Sequence, residues 1–117
     1  MNLLEETIED IGKSGHTPKD IIFIGSERSG HQCSWEEFKL LANKEYDSGF
    51  GGQEVATDLI IVFPDGSKMW RGEYDGSEWW NYSTPFKIPK ENKSIKSLIT
   101  TSCWNSLEEI DIELEGV

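Results

Sequence analysis

Asp58-Leu59-Ile60-Ile61-Val62-Phe63-Pro64-Asp65-Gly66-Ser67-Lys68-Met69-Trp70-Arg71-Gly72-Glu73-Tyr74-Asp75-Gly76-Ser77-Glu78-Trp79-Trp80-Asn81-Tyr82 decides the fold. Asp58 to Phe63 is apolar and β-branched, the composition of a strand. Pro64-Asp65-Gly66-Ser67 is a turn, because Pro presets φ and Gly accepts the left-handed position. Lys68 to Tyr74 is a second strand. Asp75-Gly76 is a two-residue loop of the type I′ kind, the strongest short hairpin signal. Ser77 to Tyr82 is then a third strand. The stretch predicts a three-stranded antiparallel meander over 58–82.

The short loop sets the cross-strand partners. Tyr74 faces Ser77, Glu73 faces Glu78, Gly72 faces Trp79, Arg71 faces Trp80 and Trp70 faces Asn81. Trp79 covers the gap left by Gly72. Arg71 beside Trp80 allows a cation–π contact worth about 0.5–1 kcal/mol at an exposed site. Glu73 opposite Glu78 is unfavourable by up to about 1 kcal/mol, and Asp75 lies close by. Trp79 and Trp80 point to opposite faces, so one is exposed unless both faces are covered. Three carboxylates and an exposed Trp at a hairpin tip read either as a solvated tip or as a surface that meets a partner's Lys or Arg.

Upstream, Leu3 to about Lys13 reads as a helix with Asn2 as N-cap and Glu5 as the capping-box acid. Leu4, Ile8 and Ile11 form its apolar stripe. Asp20-Ile21-Ile22-Phe23-Ile24 reads as a strand buried on both faces, hence central. Ser34 and Glu37 bracket a second helix running to about Asn43, with Trp35, Phe38, Leu41 and Ala42 inward. Tyr46 to Gln53 holds three glycines among Gly49-Phe50-Gly51-Gly52, yet is flanked and interrupted by aromatics. That suits a loop that tucks Phe50 inward or offers it to a partner, not a linker. It lacks the spacing of a phosphate loop.

Downstream, the prolines make 84–89 extended. Ser94 to Thr100 reads as a further strand. The end reads as a short helix from Asn105 to about Ile110 and then an extended tail. Trp35, Trp70 and Trp104 are placed in the core. The expected architecture is α+β: an antiparallel sheet of 4–5 strands around the 58–82 meander, with two N-terminal helices packed on it, in a single acidic domain over 1–117.

Asp and Glu number 22 against 11 Lys and Arg, a formal charge of −11 over 117 residues. Nucleic-acid binding runs on cationic side chains that neutralise phosphates, so direct nucleic-acid binding is not expected. No apolar run reaches membrane length, and the N-terminus lacks a basic region ahead of an apolar stretch. The expectation is a soluble, cytoplasmic protein that avoids membranes. Cys33 and Cys103 are outside any C-x-x-C pair and are expected as reduced thiols. His16, His31 and the two cysteines lack metal-site spacing, so neither a metal nor a cofactor is expected. Cys33 beside His31 and the Glu73–Glu78 pair are the nearest approach to catalytic groups, and no enzyme is expected.

Tyr46-Asp47-Ser48-Gly49-Phe50-Gly51-Gly52-Gln53 and Gly72-Glu73-Tyr74-Asp75-Gly76-Ser77-Glu78-Trp79-Trp80 resemble segments of small, uncharacterised acidic proteins of phages and bacterial mobile elements. The resemblance spans about Trp35 to Tyr82 and transfers no functional residue. It implies a context in which small acidic proteins bind and inhibit host defence enzymes, including CRISPR nucleases.

Two functions are weighed. The first is an anti-CRISPR or similar nuclease inhibitor, a nucleic-acid mimic whose carboxylates occupy phosphate positions on a basic partner such as a defence nuclease. Its contact set is Asp47, Phe50, Glu54, Glu73, Tyr74, Asp75, Glu78 and Trp80. The alternative is a protein that binds or sequesters a small ligand or signalling nucleotide, stacked on Trp79, Trp80 and Tyr74.

Overall fold

A computed structural model describes residues 1–49, 51–84 and 86–115. They form an α+β structure with an antiparallel sheet of four strands and three α-helices. The chain divides into two compact units, Met1–Phe86 and Lys87–Val117.

The first unit begins with helix α1, Leu3–Lys13, where the Asn2 side chain accepts from the Glu5 N–H at 3.0 Å. Strand β1 is Phe23–Gly25. Helix α2 is Trp35–Ala42, started by a reciprocal Ser34–Glu37 capping box. Strands β2 (Ile60–Val62), β3 (Lys68–Tyr74) and β4 (Ser77–Tyr82) make the meander, and the sheet order is β1-β2-β3-β4. The β3–β4 register is the one expected: Arg71 opposite Trp80, Gly72 opposite Trp79, Glu73 opposite Glu78. Asp75 and Gly76 both have positive φ, 51° and 85°, as a type I′ turn requires. A Cβ on Gly72 would lie 2.8 Å from Trp79 Nε1, so the indole does cover the glycine.

One face of the sheet carries the core. Ile24, Ile61, Met69 and Trp80 share a buried cluster with Ile11 of α1, Phe38 and Ala42 of α2, and Phe63. Three expectations shift here. The strand near Ile24 is an edge strand, not a central one, and Ile22 is exposed. The segment 31–33 takes the place of a neighbouring strand, with the Cys33 N–H donating to Ile24 O at 3.0 Å. On α1, Thr7 and Ile11 are buried while Ile8 is exposed. Thr7 takes the inward position because its hydroxyl accepts from the buried Trp80 indole at 2.9 Å. On α2, Phe38 and Ala42 are buried, but Leu41 is exposed.

In the second unit the expected strand at Ser94–Thr100 is absent, and these residues are irregular. Ile95, Leu98 and Ile99 stand at i, i+3, i+4, a spacing that does not alternate between two sheet faces. The last element is helix α3, Leu107–Glu115, which continues through the tail expected to be extended. Ser106 opens it: its hydroxyl accepts from the Glu109 N–H at 3.3 Å and donates to the Glu109 carboxylate at 3.1 Å. Two of its acids find a partner, since Lys96 lies 3.6 Å from Asp111 and 3.5 Å from Glu115. Trp104, expected in a core, is exposed.

Candidate functional site

Burial separates the residues singled out in the hairpin. Trp80 is 4% exposed and Glu78 5%. Both were expected at an open, partner-binding tip, and both belong to the interior instead. The reason is the covered face. Residues 69, 71, 78 and 80 alternate onto the side where α1 supplies Glu6, Thr7 and Ile11.

Glu78 is held by three polar partners. Its carboxylate accepts from the Glu54 N–H at 2.6 Å, the Val55 N–H at 3.2 Å and Arg71 Nη2 at 3.3 Å. Arg71 Nη2 also donates to the Tyr46 hydroxyl at 3.0 Å, and that hydroxyl donates to Glu6 at 2.6 Å. Arg71 Nη1 lies 3.3 Å from Glu6. The Arg71 guanidinium sits 4.9 Å from the Trp80 ring centroid and 5.5 Å from that of Tyr46. The expected Arg71–Trp80 contact therefore forms, but in the interior. Two carboxylates around one guanidinium leave this buried cluster one negative charge in excess. Burial and the Glu6 hydrogen bond push the Tyr46 hydroxyl up to about 12, against the opposing pull of Arg71. Arg71 Nε is buried without a hydrogen-bond partner among the described residues.

The like-charge clash expected between Glu73 and Glu78 is relieved by divergence. Glu78 turns to Arg71, and Glu73 turns outward, accepting from the Gly76 N–H at 3.0 Å.

The remaining site residues come together at one end of the sheet. Loop 46–54 lies along β4: Gly49 bridges Ser77, and the Glu78 N–H donates to Ser48 O at 2.9 Å. Within the loop the Asp47 N–H donates to Glu54 at 2.8 Å, and Asp47 accepts from the Gly49 N–H at 3.1 Å. Asp47 and Glu54 thus stand beside the tip that carries Glu73, Tyr74 and Asp75. All five are exposed, Tyr74 by 77%. Phe50 lies outside the described residues.

Trp79 is the exposed member of the Trp pair, at 38%, and Trp70 lies on the same side at 37%. Sequence reasoning placed Trp70 in the core and selected Trp80 over Trp79. The strand alternation that groups Trp70 with Trp79 was already a signal that both share one face.

A concavity of about 620 Å³ is lined mainly by apolar residues such as Leu3, Phe38, Val55 and Leu59, with Lys44, Glu45 and Glu54 also in its wall. Burial pushes the Cys33 thiol above its ordinary value. Among the described residues no group of three His, Cys, Asp or Glu side chains is placed to hold a metal ion. No helix among them is long and apolar enough to cross a membrane.

Compared with protein-family models, with curated proteins and with solved structures, the chain has no match.

Proposed function

We propose that the chain is a protein-binding domain that inhibits a basic, nucleic-acid-binding partner such as a defence nuclease, in the manner of small phage or mobile-element proteins. The observation that carries this reading is the juxtaposition of loop 46–54 with the β3–β4 tip. It places Asp47 and Glu54 beside the tip that carries Glu73, Tyr74 and Asp75, with Tyr74 exposed on the face opposite Glu73. No Lys or Arg belongs to that set. Arg71, the nearest in sequence, is buried and outnumbered by Glu6 and Glu78. An array of fixed carboxylates offers a basic groove what phosphates offer it, and the chain's charge of −11 speeds association at low salt. Tyr74 adds an aromatic anchor of the kind that dominates protein interfaces.

The small-ligand reading has less support. Trp79 and Trp80 lie on opposite faces and cannot stack one ligand between them. The 620 Å³ concavity is largely apolar and sets Glu45 and Glu54 against a single Lys44, which suits a nucleotide poorly.

The test is capture of partners by the tagged chain from cells that carry a defence nuclease, with identification by mass spectrometry. A basic nucleic-acid-binding protein is expected, released by DNA and by high salt, and lost with the Asp47→Lys, Asp75→Lys double variant. Partners that are not basic, or binding that DNA and salt leave intact, would overturn the proposal.

A further inference from the structure

The face of the sheet turned away from the core is aromatic. Trp70, Gly72 and Tyr74 of β3 share it with Trp79 and Asn81 of β4. The Trp79 indole lies over Gly72, and its Nε1–H donates to Asn81 Oδ1 at 3.0 Å. That bond holds the indole against the backbone, so the opposite ring face looks outward. Trp70 and Trp79 are each more than a third exposed, and Tyr74 is exposed almost throughout.

Two observations indicate what fits there. First, a cation already rests on this face: Lys68 Nζ lies 5.9 Å from the Trp70 ring centroid. The ring presents its negative face where a cation can reach it. Second, the tip beyond Tyr74 is anionic, with Asp75 exposed in the turn and Glu73 exposed on the other side of the strand. The surface is thus complementary to a positive charge borne on a flat group. A guanidinium is planar, weakly hydrated and able to stack on a ring while its edge faces a carboxylate. An ammonium is compact and strongly hydrated, and gains less from the rings.

We propose that this face receives arginine side chains of the partner, stacked on Trp79, Trp70 and Tyr74, with the Asp75 carboxylate of the turn facing their N–H edges. The inference rests on the acidic-surface reading above and adds the residue type that the surface selects.

The test compares octa-arginine with octa-lysine binding to the full chain, by calorimetry at a fixed salt concentration. Octa-arginine is expected to bind about tenfold more tightly, from two or three ring contacts. Tyr74→Ala and Trp79→Thr should each cut that advantage severalfold while leaving octa-lysine unchanged. Glu73→Gln with Asp75→Asn should weaken both peptides alike. Tyr74 is so exposed that its variant keeps the test informative even where Trp79→Thr disturbs the fold; Trp79→Phe, which retains a ring, should keep most of the advantage. Equal affinity for the two peptides, or an arginine advantage that Tyr74→Ala and Trp79→Thr leave intact, overturns this inference and spares the acidic-surface reading. Failure of both peptides to bind overturns both.

Discussion

The indole Nε1–H of Trp80, on β4, donates to the hydroxyl of Thr7, on α1, across 2.9 Å. The Thr7 hydroxyl in turn donates to Leu3 O at 2.6 Å. A large aromatic and a small polar residue, 73 positions apart, thereby satisfy each other inside the core. This bond explains why the helix turns a threonine inward and leaves Ile8 in solvent.

Thr7→Val keeps the shape of the side chain and removes the acceptor. The Trp80 N–H is then buried without a partner, at a cost of about 1–3 kcal/mol. Urea denaturation should show that loss. Thr7→Ser, which retains the oxygen, should lose less.

Glu78→Ala breaks a buried ion pair and orphans the Glu54 and Val55 N–H groups. The expected loss is about 3–5 kcal/mol. Glu73→Ala, at the directly opposed but exposed position, should change stability by about 0.5 kcal/mol or less. Denaturation midpoints of the two variants, measured side by side, check the contrast. Equal effects would contradict the divergence of the two carboxylates.

Asp65 provides an acid-side prediction. The Ser67 hydroxyl, the His16 imidazole and the Ser67 N–H hold its carboxyl down at about 2. The folded value lies below the unfolded value of about 3.9. Its contribution is therefore present above the unfolded pKa and is lost as pH falls toward about 2. Asp65→Asn should flatten the stability profile in that window, as followed by thermal melts.

Tyr46 provides the alkaline counterpart. Its hydroxyl lies at about 12, raised first by burial and then by the hydrogen bond to Glu6. The folded value exceeds the unfolded value of about 10. Stability from this group is full below about 10 and is lost as pH rises toward about 12. Ultraviolet titration should show a late-ionising component among the three tyrosines. Tyr46→Phe should remove that component.

Local chemistry was legible from the residues alone. Asn2 and Ser34–Glu37 start their helices by hydrogen bonds that span three positions. Asp75-Gly76 sets the β3–β4 register because few residue pairs accept positive φ twice in succession. The length of the last helix is not legible, because Ile110, Ile112 and Leu114 alternate with acids as in a strand while Leu107, Ile110 and Leu114 keep helical spacing. Lys96, Thr100 and Ser102, earlier in the same unit, hold Asp111, Glu113 and Glu115.

The candidate site was legible only in part. Its loop and its hairpin tip could be named, but not their adjacency, which depends on the Gly49–Ser77 bridge and on Glu78 reaching the Glu54 and Val55 N–H groups. Strand alternation alone puts Trp79 and Trp80, and likewise Tyr74 and Glu73, on opposite sides of a strand, because the side-chain period of a strand is two. Which side became interior was decided by tertiary structure. Helix α1 brings Glu6 and Thr7 to Arg71 and Trp80 from 65 and 73 positions away. Alternation defines two faces, and only long-range packing selects the one that is removed from water.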